Sequence, residues 1–410
     1  MVKDAKNLVV GLDVGTSKIV AIVAEIDPEG AINVIGLGTQ PSRGLKRGVV
    51  VNIDATMGSI QRVLEEAELM ADCRISAVTT GIAGSHIRSL NSSGMVAIKE
   101  GEVAQADIDR VIETAKAIAI PNDQQILHIL PQEFIIDGQD GVREPLGMSG
   151  VRLEVKVHIV TGAVSAVENI AKCVRRCGIE LSDIVLQPLA SAAAVLNDDE
   201  KDLGVCLMDI GGGTTDLAVF TGGAIRHTAV IPIAGDQVTN DIAMTLRTPT
   251  KEAEELKVRH GCALRQLADP NDVVEVPGVG ERAPRKLSRP MLSEVIEPRI
   301  EELYTLVQAE LRRSGFEELL SSGIVITGGT SLLQGMAELA EEVFHLPCRV
   351  GTPQYLGSLA DVVRSPRYST AVGLLLHGRD QWQRAHAARA QVKGIGGVAE
   401  RMKLWFKANF

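Results

Sequence analysis

The sequence predicts an α/β fold built from two duplicated lobes. Residues 8–26 and 203–223 each hold two apolar, β-rich runs joined by a glycine-containing turn, and an aspartate closes the first run of each pair. Apolar runs bounded by turn residues are typical of buried hairpins. Two segments of the same form, far apart in the chain, indicate an internal duplication of a fold. A chain of 410 residues is also too long for a single core, so its length favours about two to four domains.

The composition is that of a globular protein and narrows the function classes. Hydrophobic residues make up 45% of the chain and charged residues 23%, which is ordinary globular composition. The net charge of −10 argues against nucleic acid as a partner, because nucleic-acid binding needs a basic surface. No apolar run approaches about 18 residues, so no transmembrane helix is predicted. The start of the chain lacks a secretory signal pattern, and the six scattered cysteines fit a reducing cytosol.

In the first lobe, the spacing of apolar residues predicts the elements that follow the first hairpin. Ile60, Val63 and Leu64 recur at helical spacing, and residues 151–161 alternate between apolar and polar side chains as a half-buried strand does. Gly178 is a suitable residue to end a helix. The predicted elements are a helix over 57–70, a strand around 75–82, a helix over 104–119 within an interrupted segment 85–160, a strand over 151–161 and a helix over 164–178.

In the second lobe, the same patterns follow the second hairpin. The predicted elements are helices over 252–260, 293–313 and 368–377 and a strand over 323–327. Residues 268–290 contain four prolines and are predicted as a loop. Residues 379–394 are polar and rich in Arg, Ala and Gln, which predicts a flexible tether.

The two glycine turns are the main candidates for a binding site. Glycine lets backbone N–H groups approach an anion without an intervening side chain, and threonine and serine hydroxyls add donors. Asp13 and Asp209 close the strands that lead into the turns and are candidates to hold Mg²⁺, mainly through waters. One glycine turn is usually only a turn, but two of the same form predict a clamp around the β- and γ-phosphates of a nucleotide. The predicted phosphate-binding residues are Gly15, Thr16, Ser17, Lys18, Gly211, Gly212, Gly213, Thr214 and Thr215.

A third glycine turn, Gly328-Gly329-Thr330, follows the strand over 323–327 and is predicted to open a helix. This position suits packing beneath a nucleotide, with backbone contacts to the α-phosphate or the adenine. The alternative is an ordinary turn between a strand and a helix.

Together these features resemble the ATPase fold shared by actin, Hsp70 chaperones and sugar kinases. In that superfamily the turns are the phosphate 1, phosphate 2 and adenosine motifs, and two small-residue helices, here 190–194 and 369–373, connect the lobes. Within the superfamily the chain most resembles the FtsA family of bacterial cell-division proteins. The stretches that carry this resemblance include LVVGLDVGTSK (8–18), ILPQEFIIDG (129–138), VCLMDIGGGTTDLAVFTGG (205–223) and GIVITGGTSLLQGM (323–336).

The resemblance implies a domain organisation and a role. It implies ATP and Mg²⁺ as ligands, at most slow ATPase activity, actin-like filaments, and anchoring of the tubulin-like protein FtsZ to the cytoplasmic face of the inner membrane at the septum. Later division proteins would bind an inserted subdomain. The implied parts are subdomain 1A (1–84 and 163–195), the inserted SHS2-like subdomain 1C (85–162), subdomain 2A (196–232 and 305–378) and subdomain 2B (233–304).

Three further residues take roles from the resemblance. Glu254 and Lys257 stand three apart on a predicted helix and share a face; in the superfamily such a pair contacts the ribose, and the alternative is a solvated ion pair. Arg299 lies in the subdomain with which the family contacts FtsZ, and the alternative is a structural role at the surface.

Gln187 is the candidate that would position the attacking water. It precedes the first connecting helix, where actin carries a glutamine that orients water, and the predicted catalytic pair is Gln187 with Asp209. Glutamine orients water but is a poor base, so slow hydrolysis would follow. The alternative is that Gln187 packs beside Pro188.

Residues 395–410 are predicted to form an amphipathic helix that lies on a membrane. On a helical wheel, six apolar residues fall within an arc of roughly 140°; cations lie opposite or beside it, and Leu404 breaks the pattern. Such a helix is too short to span a bilayer, so its aromatic side chains would face lipid and its cations anionic headgroups. The predicted membrane residues are Ile395, Val398, Arg401, Met402, Lys403, Trp405, Phe406, Lys407 and Phe410.

The strength of this anchor depends on polymerisation. Cations near an anionic surface contribute about 1 kcal/mol each, and a helix this short is marginal in water. One tail should therefore bind weakly, and several tails on one filament should bind well by avidity. The alternative is that the tail docks on the body or mediates dimerisation.

Other members of the superfamily remain as alternatives. A small-molecule kinase would need a catalytic aspartate and a substrate pocket between the lobes, which no segment supplies. An Hsp70-type chaperone would need a large substrate domain after residue 378. A pilus-assembly relative would share the inserted subdomain but would not need the amphipathic tail.

Overall fold

The computed structural model describes residues 7–280, 282–355, 357–384 and 386. Within these residues the chain forms two five-stranded sheets, one four-stranded sheet and two short two-stranded ribbons. The first five-stranded sheet belongs to the half of the chain called lobe I below, and the second belongs to lobe II. The predicted membrane segment, 395–410, lies outside the described residues.

The elements of lobe I occupy the chain up to residue 195. In order they are β1 (Leu8–Val14), β2 (Lys18–Ile26), β3 (Ile32–Pro41), β4 (Leu45–Lys46), β5 (Val49–Val50), α1 (Ile53–Ala71), β6 (Ala77–Ile82), β7 (Arg88–Ala97), α2 (Gln105–Lys116), β8 (Gln124–Ile136), β9 (Gln139–Val142), β10 (Arg152–Ala163), α3 (Val164–Arg176), β11 (Glu180–Leu186) and α4 (Gln187–Val195).

The elements that follow form lobe II and a final helix. In order they are α5 (Asp198–Leu203), β12 (Val205–Ile210), β13 (Thr215–Thr221), β14 (Ala224–Ile231), α6 (Gly235–Leu246), α7 (Thr250–His260), β15 (Val273–Val276), β16 (Arg285–Ser288), α8 (Arg289–Ser314), β17 (Ile324–Thr327), α9 (Met336–Phe344), β18 (Cys348–Val350), α10 (Ala360–Val363) and α11 over 369–384.

The two five-stranded sheets have the same strand order. The order is β3-β2-β1-β6-β11 in lobe I and β14-β13-β12-β17-β18 in lobe II. In each, the hairpin that begins the lobe is antiparallel and its first strand pairs in parallel with a later strand. This shared topology confirms the duplication that the two hairpins predict.

An inserted subdomain follows β6 in lobe I. Its sheet has the order β7-β10-β8-β9, and apolar residues of α2, such as Val111, pack against Leu153 and Val155 of β10 in one core. The sequence predicts β10 and α2 but not β7 or β8. Strand β8 is hard to recognise in the sequence because it contains Pro131. Pro131 lies at a bulge, where the pairing of β8 with β10 shifts register between Lys156 and Val157. A bulge is a place where a sheet tolerates proline.

Side chains of the inserted sheet bind the edge strand β14 of lobe II. Ser89 Oγ donates a hydrogen bond to the carbonyl oxygen of Thr228 (3.0 Å), and Gln132 Nε2 donates to that of Ile225 (2.9 Å). The ring of His158 bonds the hydroxyl of Thr228 at 3.0 Å. An edge strand exposes unpaired backbone groups, and these contacts satisfy some of them. The inserted subdomain is continuous in the chain with lobe I and, through these bonds, also contacts lobe II.

Lobe II has one continuous core. Residues of β12 and β13 pack with α6, α7 and both halves of α8, from Leu292 to Leu311. The predicted boundary between 2A and 2B, at 304/305, falls inside this unbroken helix. Residues 268–290, predicted as a loop, contain the ribbon β15–β16.

Helix α11 extends further than the sequence predicts. The chain is helical through 384, so residues 379–384 are not part of a flexible tether. Their side chains dock on lobe I: Gln381 Nε2 donates to Asp183 (2.6 Å) and Gln383 Nε2 donates to the carbonyl oxygen of Gly30 (3.3 Å). Among the described helices, none is both long and apolar enough to cross a membrane.

Helices α4 and α11 cross each other between the lobes. Their small residues lie in a core with side chains of both sheets, including Ile22 of β2 and Leu207 of β12. At the crossing, a Cβ atom on Gly373 would overlap the carbonyl group of Ala190 and lie 2.8 Å from its Cα. The close approach therefore depends on glycine, as the small-residue pattern predicts.

Candidate functional site

A cleft of about 250 Å³ lies between the lobes, at the ends of β1 and β12. It brings together most of the residues that the sequence predicts for nucleotide binding, although they come from widely separated segments. The predicted residues that line it are Asp13, Gly15, Thr16, Ser17, Lys18, Gln187, Asp209, Gly211, Gly212, Gly213, Thr214, Glu254, Lys257, Gly328, Gly329 and Thr330.

Both glycine turns have the same local geometry. The N–H of Gly15 donates to the carbonyl oxygen of Lys18 (3.1 Å), and the N–H of Gly211 donates to that of Thr214 (3.0 Å). The same bond, from the first glycine to the residue three further on, therefore closes both turns.

The two turns meet across the cleft. A Cβ atom on Gly212 would lie 2.8 Å from the Cβ of Ser17, and one on Gly213 would lie 2.8 Å from the hydroxyl of Thr16. Real Cβ atoms do not approach other atoms so closely, so both positions require glycine. The predicted opposition of the two turns is therefore present in the structure.

Thr215 is the predicted phosphate-binding residue that the structure places elsewhere. Its side chain is fully buried and its hydroxyl donates to the carbonyl oxygen of Ile233 (2.8 Å). Because alternate side chains of a strand face opposite sides, the first residue of β13 turns into lobe II, while Thr214 and Asp216 line the cleft.

Three carboxyl groups are buried around the turns. Asp13, Asp209 and Asp216 are 7%, 9% and 4% exposed. Burial raises the pKa of Asp13 to about 7; the charge of Lys18 opposes this effect and the charge of Asp209 adds to it. Burial and then the charge of Asp209 raise the pKa of Asp216 to about 8, and burial raises the pKa of Asp209, against the bonds it accepts from Ser191 and Thr370.

These three carboxyl side chains together suit a hard divalent cation. Asp216 Oδ1 is buried and has no hydrogen-bond partner among the described residues, and the charge of Asp209 raises the pKa of both Asp13 and Asp216. Mg²⁺ prefers oxygen ligands and in nucleotide sites takes one or two carboxylates, with waters and phosphate oxygens completing its shell. In the described part of the chain, no three His, Cys, Asp or Glu side chains are placed to hold a metal by themselves. Asp13 and Asp209 are thus residues that fit a cation held largely through waters.

Gln187 contacts Asp13 directly. Its Nε2 donates to Asp13 Oδ1 at 3.0 Å, and a Cβ atom on Gly81 would lie 2.8 Å from its Cγ, so Gly81 leaves the space that this side chain fills. Its amide nitrogen is engaged, which leaves the carbonyl oxygen as the group that can accept a bond from water. The water-positioning role of Gln187 stays a prediction.

Lys18 links the first turn to the segment before α11. Its ammonium donates to the carbonyl oxygen of Arg367 and lies 4.8 Å from the centre of the Tyr368 ring. Burial lowers the pKa of Lys18 to about 8, while Asp13 opposes that effect. Lys18 is therefore held at the mouth of the cleft, where Arg367 also lines it.

The third glycine turn packs beneath the second. The hydroxyl of Thr330 donates to the carbonyl oxygen of Gly211 at 2.7 Å. Gly328 has φ +85°, a conformation that favours glycine. The turn opens a single 3-10 turn, Gly329–Leu332, and α9 begins only at Met336, so the helix predicted directly after it is wrong.

Glu254 and Lys257 form an ion pair that also lines the cleft. Lys257 Nζ lies 2.7 Å from Glu254 Oε2 and donates to the carbonyl oxygen of Gly235 (3.0 Å) and to Thr239 (2.9 Å). Lys257 is 7% exposed, whereas the side chain of Glu254 is 44% exposed, so only the lysine of this pair is buried. Their contact with a ribose stays a prediction.

Arg299 lies away from the cleft, in a groove beside α6 and α8. Its guanidinium binds Asp241 through two nitrogens, at 2.6 and 3.1 Å, and also pairs with Glu302. Thr245, Glu294 and Pro298 complete the groove. Arg299 is thus a positive charge fixed by acidic neighbours at the surface of lobe II.

Some residues that shape the cleft are absent from the sequence predictions. Asp216 is the last residue of the glycine-rich motif that contains Asp209. Its position two residues after Thr214, which places both side chains on the same side of an extended chain, could have predicted that it lines the cleft. The others required the fold, because they approach the cleft from separate elements: Ser191, Asp236, Val258, Leu332, Leu333, Arg367 and Thr370.

Solved structures show the class of fold. The chain is similar to the PilM–PilN type IV pilus biogenesis complex, with 18% identity, a TM-score of 0.67, and coverage of 90% of this chain and 98% of that one. It is also similar to MreB5 of Spiroplasma citri bound to ADP, with 15% identity, a TM-score of 0.54, and coverage of 95% and 99%. Identities this low establish the fold alone, and the fold is that of the actin-like proteins.

Sequence similarity goes further. The chain is 60% identical to the cell division protein FtsA of Pseudomonas aeruginosa over 98% of both chains, and 45% identical to that of Escherichia coli K12 over 99% of both. The family model "Cell division protein FtsA" matches residues 206–373, and "SHS2 domain inserted in FTSA" matches 84–161. The chain belongs to the FtsA family of cell division proteins. This membership decides against the kinase, the chaperone and the pilus-assembly relative.

Proposed function

We propose that the chain is an ATP-binding, filament-forming adaptor that anchors FtsZ to the cytoplasmic face of the inner membrane at the division septum. The observation that carries the proposal is the pair of matching glycine turns that meet over buried carboxylates in the cleft. This arrangement supplies N–H donors and hydroxyls from both lobes to one anion. A triphosphate bound there would link the lobes, so nucleotide would control their closure.

The cleft offers a place for each part of the nucleotide. The turns after β1 and β12 would hold the β- and γ-phosphates, and Glu254 with Lys257 would meet the ribose. Asp13 and Asp209 would hold Mg²⁺ through waters, and the ion would neutralise phosphate charge. An MreB5 structure with a similar fold is described as bound to ADP and another as bound to AMPPNP, which supports a nucleotide as the ligand.

Polymerisation and membrane binding complete the proposal. One solved structure with this fold is a double helical filament of MamK, with a TM-score of 0.51, which supports self-assembly. Residues 395–410 would bind anionic lipid, and the inserted subdomain would bind later division proteins. Because one short amphipathic helix binds weakly, a filament that presents many tails would stay on the membrane when single subunits would not.

Removing the tail is expected to abolish membrane binding. The test is co-sedimentation with vesicles of phosphatidylglycerol and phosphatidylethanolamine, comparing the full chain with a chain truncated after Lys393, with and without Mg-ATP. The full chain should sediment, and more of it with ATP, because avidity rises with filament length. Sedimentation of the truncated chain to the same extent would contradict the proposed anchor.

A matched pair of substitutions separates the apolar face from general hydrophobicity. Phe406→Ala removes a side chain from the predicted apolar arc, and Leu404→Ala removes one that lies off it. Burial of a large apolar side chain is worth about 1.5–3 kcal/mol, so Phe406→Ala should weaken vesicle binding at least about tenfold. Leu404→Ala should change it little; equal losses would argue against a helix lying in the interface.

Arg299→Ala is expected to weaken binding to FtsZ about tenfold. Its guanidinium is held in place by Asp241, so it presents a fixed charge at the surface groove, and truncation of such an anchor commonly costs more than about 1 kcal/mol. The measurement is binding of purified FtsZ to immobilised full-length chain.

Arg313→Ala is the control for Arg299. Arg313 is also on α8 and also pairs with a glutamate, Glu310, but it lies at the far end of the helix. If both variants bind FtsZ as the wild type does, Arg299 has only a structural role. The Arg299→Ala variant should then have a lower unfolding temperature than the wild type.

A further inference from the structure

Asp209 is held by two hydroxyl groups that come from different helices. Ser191 Oγ on α4 donates to Asp209 Oδ2 at 2.5 Å, and Thr370 Oγ1 on α11 donates to the same oxygen at 3.2 Å. The two hydroxyls lie 3.0 Å from each other. Ser191 is fully buried and Thr370 is 8% exposed, so water does not compete easily for these bonds.

The backbone of the third glycine turn confines the other carboxylate oxygen. A Cβ atom on Gly328 would overlap Asp209 Oδ1 and lie 2.8 Å from the carbonyl carbon of Ile210. Asp209 also lines the cleft. The carboxylate is therefore fixed in one orientation, with Oδ2 turned to the helices and Oδ1 placed at the cleft beside Gly328.

The two hydroxyls belong to the helix crossing that joins the lobes. Ser191 follows Ala190, whose carbonyl group packs directly on Gly373, one turn along α11 from Thr370. Because the helices are in close contact there, a change in their crossing moves Ser191 relative to Thr370. The two bonds to Asp209 therefore depend on the crossing of these helices.

We propose that Ser191 and Thr370 are positioning residues that hold Asp209 for Mg²⁺, so that recognition of the metal depends on how the two connecting helices cross. The inference rests on the proposed function, which places Mg-ATP in this cleft. Hydrogen bonds from hydroxyl groups to a carboxylate are short and strong, and groups that orient a metal-binding carboxylate typically change metal affinity about 10–100-fold when removed. These two hydroxyl groups would therefore couple the crossing of the connecting helices to the binding of Mg²⁺ beside the phosphates.

The test is the gain in ATP affinity that Mg²⁺ provides, measured by calorimetry on the full chain with Mg²⁺ and with EDTA. Ser191→Ala and Thr370→Val should each reduce that gain about tenfold or more, while affinity for ATP in EDTA should change little. Thr370→Ser keeps the hydroxyl and should restore the gain. A gain that persists in both Ser191→Ala and Thr370→Val would overturn the inference.

Ser369→Ala is the structural control. Ser369 precedes Thr370, is 1% exposed, and its hydroxyl bonds Thr327 at 2.7 Å rather than Asp209. Its loss should lower the unfolding temperature without changing the effect of Mg²⁺, and an equal loss of that effect would assign it to packing and overturn the inference. A wild-type chain that fails to bind ATP overturns the proposed function and the inference together, whereas normal Mg-ATP binding by both Ser191→Ala and Thr370→Val overturns the inference alone.

Discussion

Gly373→Ala is expected to lower the free energy of unfolding by about 3 kcal/mol or more. The added methyl group would overlap the carbonyl group of Ala190, and both helices carry core residues of the two lobes, so neither can retreat without disturbing a sheet. Overpacking in a well-packed core costs about 1–3 kcal/mol when side chains can adjust. Here the obstacle is backbone, which places the cost at the upper end. Urea denaturation followed by circular dichroism would measure it.

Gly58→Ala provides the matched control for that substitution. Gly58 is in the interior of α1, and the nearest atom to a Cβ there is Arg62 Nη1, at 3.8 Å. Alanine is the better helix former by about 1 kcal/mol, so this variant should be more stable than the wild type. If Gly373→Ala were also stabilising, the close packing of α4 on α11 would be wrong.

Gly212→Val is expected to reduce ATP affinity about 100-fold or more. A side chain at this position would lie against Ser17 and 3.2 Å from Asp236 Oδ1, so it would separate the turns that meet across the cleft. Loss of two hydrogen bonds to a charged ligand, at about 1.5–3 kcal/mol each, accounts for a change of that size. Titration with ATP or a fluorescent analogue would measure it, on protein whose unfolding temperature is also recorded.

Gly58→Val controls for the added valine, since Gly58 does not line the cleft and the nearest atom to a Cβ there is 3.8 Å away. ATP should bind this variant as it binds the wild type. ATP affinity that survives in Gly212→Val would show that the nucleotide does not lie between the two turns.

The hairpins and their turns could be predicted from the sequence because their information is local. Apolar runs, an aspartate and glycines lie next to each other in the chain, so each turn can be recognised without its partner. The same holds for the small residues of α4 and α11, whose pattern predicts a close crossing. The local sequence does not show which side chains this crossing brings together. It therefore predicts that Ser191 and Thr370 belong to helices, but not that they contact Asp209.

The missed elements have physical reasons as well. Strand β8 contains Pro131, and the ribbon β15–β16 lies in a segment with four prolines, so turn-forming residues concealed extended structure. The glycine-rich pattern predicts that Thr215 binds phosphate with its neighbours, but strand alternation turns it inward. Helix α11 continues past 379 because Gln381 and Gln383 find partners on lobe I, which a polar composition cannot reveal.

The contacts between the inserted subdomain and strand β14 have a consequence for the sequence of that strand. Ser89 and Gln132 bind carbonyl oxygens, and every amino acid carries one, so these two bonds do not specify the side chains of β14. The side chains of Ile225, which lies in the core, and Thr228, which bonds His158, are constrained by those other contacts instead. Covering the strand also denies it to another chain as a template for pairing.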